Sequence, residues 1–153
     1  MNLVAETIAA TLQQQDGIEA ELIRPPMPLR LQSFLGARGR NPDRLLARFW
    51  SYPQAVARLA GRFDVFHVTD HSYSQLVHAL PPGRCLVTCH DIDTFRCLLD
   101  PASDPRPWWF RRMVAHILHG FRKAGHVACV SQSTAEEVRQ AHWIEDSRLS
   151  VIP

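Results

Sequence analysis

The sequence has a single lysine, Lys123, and no apolar run of the length that a membrane-spanning helix requires. Such a helix needs roughly 20 consecutive apolar residues, so a membrane-spanning class is excluded for this sequence. Residues 1–6 also lack the basic stretch and the long apolar core of a signal peptide. We therefore expect a cytoplasmic location.

Closely spaced cysteine pairs are absent as well, although the chain has four cysteines: Cys85, Cys89, Cys97 and Cys129. Structural zinc sites usually take their ligands from short CxxC-type pairs. On an extended strand, Cys85 and Cys89 would lie about 13 Å apart, which is too far for a shared metal ion. We expect free, buried thiols, and we expect neither a disulfide nor a zinc site.

The net charge of +2 is small, but arginine is concentrated in one segment. Between residues 24 and 62 a single acid, Asp43, stands against eight arginines, at positions 24, 30, 38, 40, 44, 48, 58 and 62. Such a segment attracts anionic lipid, a phosphorylated substrate or nucleic acid. The alternative is a solvated face in a protein that uses arginine in place of lysine. Nucleic acid fits least, because no stacking aromatics are interleaved with the arginines.

Apolar spacing predicts alternating helices and strands along a chain of one-domain length, 153 residues. Helical spacing occurs at 2–15, 43–60, 70–79 and 108–124, and Pro53 is expected to kink or divide the second helix. Short apolar runs predict strands at 18–23, 63–68, 84–89, 126–130 and 149–152. Ser133 and Glu136 have capping-box spacing, which predicts a helix capped by Ser133. The alternation predicts an α/β fold, a Rossmann-like parallel sheet with helices on both faces.

Polar residues follow three of the predicted strands: Asp70 and His71, His90 and Asp91, and Ser131 and Ser133. In parallel α/β sheets ligands bind at the carboxyl ends of the strands. Imidazoles, carboxylates and hydroxyls are hydrogen-bonding groups suited to polar ligands. The shared edge of these strands is therefore the candidate site.

Each of these residues also has a structural interpretation. Asp70 and His71 fit a helix cap with a solvent-facing neighbour, and His90 fits a polar end to its strand. Asp91 either orients His90 or begins the following turn. The start of the helix near residue 133 also fits an anion-binding role, because a helix amino terminus carries positive potential.

Trp108, Trp109 and Phe110 precede Arg111 and Arg112, and this pattern permits two interpretations. Aromatic and cationic side chains together are favoured at a membrane interface. The alternative is that Trp109 and Phe110 pack in the core.

The order of elements is incomplete for a domain of this kind. It opens on a helix, where a strand with a glycine-bearing turn is normal, and it closes on the strand 149–152. We therefore expect residues 1–153 to form a single incomplete Rossmann-like domain that lacks its first strand, as a fragment or as a chain that needs a partner.

These features resemble the amino-terminal half of a GT-B-fold glycosyltransferase of family 4, a group of retaining enzymes that use nucleotide sugars. The resemblance is carried by FDVFHV at 63–68, VTCHD at 87–91, the helix before Gly125, ACVSQST at 128–134 and LSVIP at 149–153. It covers residues 60–153 well and the basic segment poorly. It implies that this chain holds the acceptor, whereas a carboxy-terminal domain that is absent here holds most of the nucleotide sugar.

The resemblance also implies roles for the strand-end residues. His90 would be catalytic and lie against the transferred sugar, and the remaining substrate contacts would come from Asp70, His71, Asp91, Ser131 and Ser133. No cofactor is implied beyond the nucleotide-sugar substrate, and no obligatory metal. The family's glycine-rich turn, its basic pair and its paired glutamates have no counterpart here, so the isolated chain is expected to be inactive.

The sequence does not identify the acceptor. One rival class of protein also remains. Contact with a lipid-linked acceptor or with the inner face of the membrane is one interpretation of the Arg-rich residues 24–62, beside a plain solvated face, and no nucleic acid is expected. The rival is a non-catalytic α/β binding or partner module, or an inactive remnant, that keeps a glycosyltransferase-like shape.

Overall fold

The computed structural model describes residues 2–24 and 40–152. Residues 25–39, which include the arginines at 30 and 38, lie outside the described residues, as does the side chain of Arg40. No helix among the residues that are described is long and apolar enough to cross a lipid bilayer.

A parallel sheet organises the described chain. Its four strands are β1 (Phe66–Val68), β2 (Cys85–Cys89), β3 (His126–Cys129) and β4 (Leu149–Val151). They lie side by side in chain order, and every neighbouring pair is parallel. The structure thereby confirms the predicted α/β class, a Rossmann-like parallel sheet with helices, consistent with the amino-terminal half of a GT-B fold.

Helices connect and flank these strands. The α-helices are α1 (Asn2–Gln13), α2 (Arg40–Leu46), α3 (Tyr52–Ala57), α4 (Arg96–Leu99), α5 (Trp108–Lys123) and α6 (Gln132–Gln140). A π-helical turn, Ala47–Ser51, joins α2 to α3. Four 3₁₀ helices within the described residues span His71–Ala79, Pro82–Arg84, Asp93–Phe95 and Asp146–Arg148.

Pro53 divides the predicted helix 43–60, as expected. It lies in the first turn of α3, which continues directly from the π-helical turn Ala47–Ser51. The π-helical turn immediately before it takes up the change in hydrogen-bond register.

The predicted strand at 18–23 is wrong, because none of these residues is in a strand. Its backbone is held by a side chain instead, with Gln13 Nε2 donating to the carbonyl of Ala20 at 2.7 Å. Ile18 and Leu22 remain 46% and 38% exposed. A short apolar run becomes a strand only where a neighbouring strand can pair with it, and the sequence does not show which neighbour is available.

The hydrophobic core lies on the sheet face that carries Val68, Val87 and Val127. The register places these residues on the same face as the buried cysteines Cys89 and Cys129. They pack with apolar residues of the connecting helices, including Val77, Val114, Ile117, Phe121 and Val138. All four cysteines are buried and free, which confirms the predicted thiols.

The opposite sheet face carries polar pairs that join neighbouring strands. His67 Nε2 lies 2.8 Å from Thr88 Oγ1, and His126 Nε2 lies 2.9 Å from Ser150 Oγ. Burial lowers the pKa of His67, so its ring is neutral and pairs with the hydroxyl as a neutral group. These contacts tie β1 to β2 and β3 to β4.

Helix α5 is the longest connection, and its apolar stripe is the predicted one. Val114, Ile117 and Phe121 are buried, and Phe110 packs against the core from a half-buried position. Core packing of Trp109 is wrong, because this side chain is 51% exposed. Successive helical residues are rotated by about 100°, so Trp109 lies to one side of the core-facing stripe that begins at Phe110.

Candidate functional site

The carboxyl ends of β1, β2 and β3 meet at one edge of the sheet, and His90 connects them. His90 Nε2 lies 3.0 Å from the carbonyl oxygen of Thr69, which follows β1. On the other side, Thr134 Oγ1 lies 3.4 Å from the carbonyl oxygen of His90. The structure thus brings the three predicted strand ends together, as expected for adjacent parallel strands.

The hydrogen bond of His90 determines what its other ring nitrogen can do. A carbonyl oxygen only accepts, so Nε2 must carry the proton that is donated to Thr69. In the neutral ring, Nδ1 then holds a lone pair, and it has no protein partner among the described residues. His90 therefore ends its strand as a structural polar group, and its second ring nitrogen is not used by the described residues.

Asp91 forms the turn that leaves β2. Its Oδ1 accepts a hydrogen bond from the backbone N–H of Asp93 at 2.9 Å, which is an Asx turn. The side chain is 57% exposed, and Cys89 Sγ donates to its backbone carbonyl at 3.2 Å. The turn interpretation is confirmed, and the exposed carboxylate remains available to solvent at the candidate site.

Asp70 and His71 are more buried than the sequence suggests. Asp70 caps the 3₁₀ helix His71–Ala79, accepting from the backbone N–H of Ser72 at 2.8 Å. The cap interpretation of Asp70 is therefore confirmed. His71 is only 3% exposed, so the idea of a solvent-facing neighbour is wrong. The side chain instead points into the core, with its ring 5.7 Å from the ring of Phe95.

His71 supports the site from beneath. Its Nε2 lies 3.1 Å from Thr94 Oγ1 and 3.6 Å from Asp91 Oδ1, whereas the buried Nδ1 has no hydrogen bond within the described structure. Burial lowers the pKa of His71, and the nearby carboxylates of Asp70 and Asp91 act in the opposite direction. A neutral His71 therefore fixes the loop after β2 without contacting solvent.

Arg48 is a site-supporting residue that the sequence did not single out from the other arginines. Its guanidinium donates to the carbonyl of Ser72 and lies 4.4 Å from the ring centre of Tyr73. Burial lowers the pKa of Arg48, while Tyr73 and Asp70 raise it. Because Arg48 lies in the π-helical turn, helical periodicity does not predict that it faces the protein interior.

The capping-box motif predicts Ser133 as the cap of α6, but Ser131 has that role in the structure. Ser131 has extended backbone angles and its Oγ accepts from the N–H of Thr134 at 3.1 Å, so Ser131 caps α6 and the predicted Ser133 cap is wrong. The cap must be the first residue outside the helix, and α6 begins at Gln132, which makes Ser131 that residue. Ser133 lies exposed in the first helical turn.

A cleft of about 290 Å³ opens beside these residues. Three of the predicted site residues line it, namely Asp91, Ser131 and Ser133. Arg96 and Glu137 also line it and were not predicted. Arg96 pairs with Asp93 at 2.8 Å, so the charge of the guanidinium is partly neutralised within the protein. Asp70, His71 and His90 lie outside this lining.

The described arginines of the basic segment have separate environments. Arg24 pairs with Glu6, Arg62 lies 3.7 Å from Glu21, and Arg48 is turned inward. Arg44 and Arg58 are exposed. Contact of residues 24–62 with an anionic partner stays a prediction.

The strand-end site and its sheet define a class of protein. The parallel α/β sheet has a Rossmann-like arrangement, and imidazole, carboxylate and hydroxyl groups lie together at its carboxyl edge, where ligands bind in such folds. A family model described as Glycosyltransferase Family 4 matches residues 1–153, and the chain belongs to that family. The role is accordingly glycosyltransferase-like, which confirms the resemblance.

Two further comparisons gave no relatives. Neither the search of curated proteins nor the search of solved structures found a match. Among the residues that the structure describes, no group of three or more histidine, cysteine, aspartate or glutamate side chains is placed to hold a metal ion.

Proposed function

We propose that this chain is the acceptor-binding half of a retaining glycosyltransferase that moves a sugar from a nucleotide-sugar donor to an acceptor. Membership of glycosyltransferase family 4 supports the class of reaction. The observation that carries the proposal is His90, whose Nε2 is held by Thr69 and whose Nδ1 is left as an acceptor at the centre of three strand ends.

His90 would contact the sugar through Nδ1. A sugar hydroxyl can donate to that lone pair while the bond between Nε2 and Thr69 fixes the ring plane. The neighbouring carboxylate of Asp91 would accept from a second hydroxyl, because its Asx turn leaves the side chain 57% exposed. Two fixed acceptors on adjacent residues would orient a sugar ring rather than merely attract it.

The cleft beside Asp91 fits a small polar group. Its volume of about 290 Å³ is just below the range of ligand pockets, which begins near 300 Å³. Ser133 and Glu137 contribute a hydroxyl and a carboxylate to its wall. A sugar ring of the acceptor would form hydrogen bonds with these groups. A second domain would complete the site for the donor.

In the proposed reaction the chain acts by positioning. His90, Asp91 and the cleft hold the reacting hydroxyl and the transferred sugar, and the second domain stabilises the departing diphosphate. The groups beneath the edge, the buried His71 and the half-buried Arg48, keep the loops in place and do not contact the substrate.

Glycosyl transfer by a complete enzyme tests the proposal. The chain would be joined to the carboxy-terminal nucleotide-sugar domain of a family 4 enzyme, and transfer from labelled nucleotide sugars to a panel of acceptors would be measured. His90→Ala should reduce turnover on the order of a hundredfold while leaving unfolding cooperative.

A histidine at the opposite end of the sheet provides the matched control, since His126 begins β3 there. His126→Ala removes an imidazole of the same kind and should leave turnover near that of the unmodified enzyme. Equal turnover in the unmodified and His90→Ala enzymes would refute the role of His90. Sugar binding without any transfer would favour a non-catalytic binding module.

A further inference from the structure

An exposed aromatic and cationic surface lies at the start of helix α5. It comprises Trp108, Trp109, Arg111 and Arg112, and we call it the α5 surface. Trp108 is 74% exposed and Trp109 is 51% exposed, although large aromatic side chains are usually well covered. Adjacent exposed aromatic side chains are a feature of surfaces that bind a partner.

The α5 surface lies at the same edge of the sheet as the candidate site. Helix α5 follows the carboxyl end of β2 and returns the chain to the amino end of β3. It has 16 residues and is about 24 Å long, whereas β2 has five residues and spans about 17 Å. Its last turn precedes β3, so its first turn reaches the carboxyl edge, and the helices Asp93–Phe95 and α4 pack against it.

The charges of the α5 surface are not neutralised within the protein. Neither Arg111 nor Arg112 has an acidic partner in the part of the chain that the structure describes. The acids just before the helix are already engaged: Asp104 binds Arg106 at 2.7 Å, and Asp100 accepts from the N–H groups of Ala102 and Ser103. The surface therefore presents net positive charge.

This combination is suited to one kind of partner. Tryptophan rings are favoured at the headgroup level of a bilayer, and arginines beside them are attracted by anionic headgroups. Leu99 at the end of α4 adds apolar area, since it is 47% exposed and lines the neighbouring cleft. A soluble anion would use the arginines but would leave both indole rings in water.

We propose that the α5 surface docks this protein on an anionic phospholipid bilayer. The rings of Trp108 and Trp109 enter the headgroup region, and Arg111 and Arg112 bind phosphate groups. The carboxyl edge of the sheet then faces the bilayer. As a consequence that rests on the proposed function, the acceptor is carried by a lipid and is reached at the membrane surface.

Vesicle binding by the full chain tests the docking surface without measuring glycosyl transfer. The chain is sedimented with vesicles of phosphatidylcholine alone or of phosphatidylcholine mixed with phosphatidylglycerol, and the bound fraction is titrated. We expect binding only to the anionic vesicles, with a blue shift of tryptophan emission. Because each basic residue near a membrane contributes about tenfold or less in affinity, R111Q/R112Q should weaken binding by roughly tenfold to thirtyfold.

A matched control removes the same charge from the other end of the same helix. Arg122 and Lys123 form the last turn of α5, and R122Q/K123Q should keep most of the affinity that R111Q/R112Q loses. W108A/W109A should abolish the emission shift, and its circular dichroism should be unchanged because both rings are exposed.

Three results would overturn the proposal. The first is equal binding to neutral and anionic vesicles, and the second is an equal loss of affinity in R111Q/R112Q and in R122Q/K123Q. The third is that the chain does not bind vesicles but forms a dimer in the absence of lipid, and that W108A/W109A dissociates this dimer. That result would assign the surface to a second copy of the chain. Failure of glycosyl transfer with intact vesicle binding would refute the proposed function and leave the docking surface standing.

Discussion

Replacing Gly120 with alanine tests how closely helix α5 packs against the 3₁₀ helix His71–Ala79. A Cβ atom at Gly120 would lie 2.7 Å from the carbonyl carbon of Ser74, and it would clash still more severely with the carbonyl oxygen. These are backbone atoms, so no side chain can rotate away. The two helices would have to separate, and the core residues between them would lose contact.

Two opposing effects determine the size of this change. Alanine is favoured over glycine in a helix by about 1 kcal/mol. Overpacking costs typically 1 to 3 kcal/mol, and the backbone contact at Gly120 places it at the upper end. We therefore expect Gly120→Ala to lower the free energy of unfolding by about 2 kcal/mol, because the overpacking cost exceeds the gain in helix propensity.

Urea unfolding followed by circular dichroism measures the effect. Gly61→Ala is the matched control, because a Cβ there has no heavy atom within 4 Å. The control should change the free energy of unfolding by less than about 1 kcal/mol. If Gly120→Ala were as stable as the unmodified protein, the close approach of the two helices would be refuted, and with it the placement of Asp70 and His71.

Two further predictions concern stability. Burial lowers the pKa of His71, His78 and His116 from the ordinary value of 6.5, so the unfolded chain takes up protons at a pH where the folded chain does not. The free energy of unfolding should be nearly constant between about pH 7 and about pH 8 and decrease as the pH falls below about 6.5; urea midpoints that do not change between these conditions would contradict this. Arg48→Met should lower the free energy of unfolding by about 1 to 3 kcal/mol, because the carbonyl of Ser72 loses a charged donor. The same measurement checks it, and an unchanged midpoint would show that the guanidinium does not hold this helix.

Periodicity predicted the sheet and the longest helix because both depend on repeated apolar positions. The strands at 66–68, 85–89, 126–129 and 149–151 fall within predicted runs, and α5 matches its predicted bounds within one residue. Strand ends and polar residues after them follow from the same pattern. The candidate site at the carboxyl edge of the sheet could therefore be predicted from the sequence.

The residues that support the candidate site from beneath could not be predicted from the sequence, because their role depends on tertiary contacts. His71 follows Asp70 in a polar stretch, and only the folded chain places its ring against Phe95 and Thr94. The strand predicted at 18–23 failed for the same reason, since strand formation requires a partner. Ser131 replaced Ser133 as the cap because the exact end of β3 decides which hydroxyl reaches the helix.

The most direct test of the central claim is a titration of the chain with a panel of sugar glycosides, with each histidine ring observed by nuclear magnetic resonance. His90 lies at the carboxyl edge, and His126 begins β3 at the opposite edge. We predict that at least one glycoside shifts the ring resonances of His90, in a saturable manner, while those of His126 stay in place. The absence of any such shift, or equal shifts at both histidines, would contradict a sugar site at the carboxyl edge.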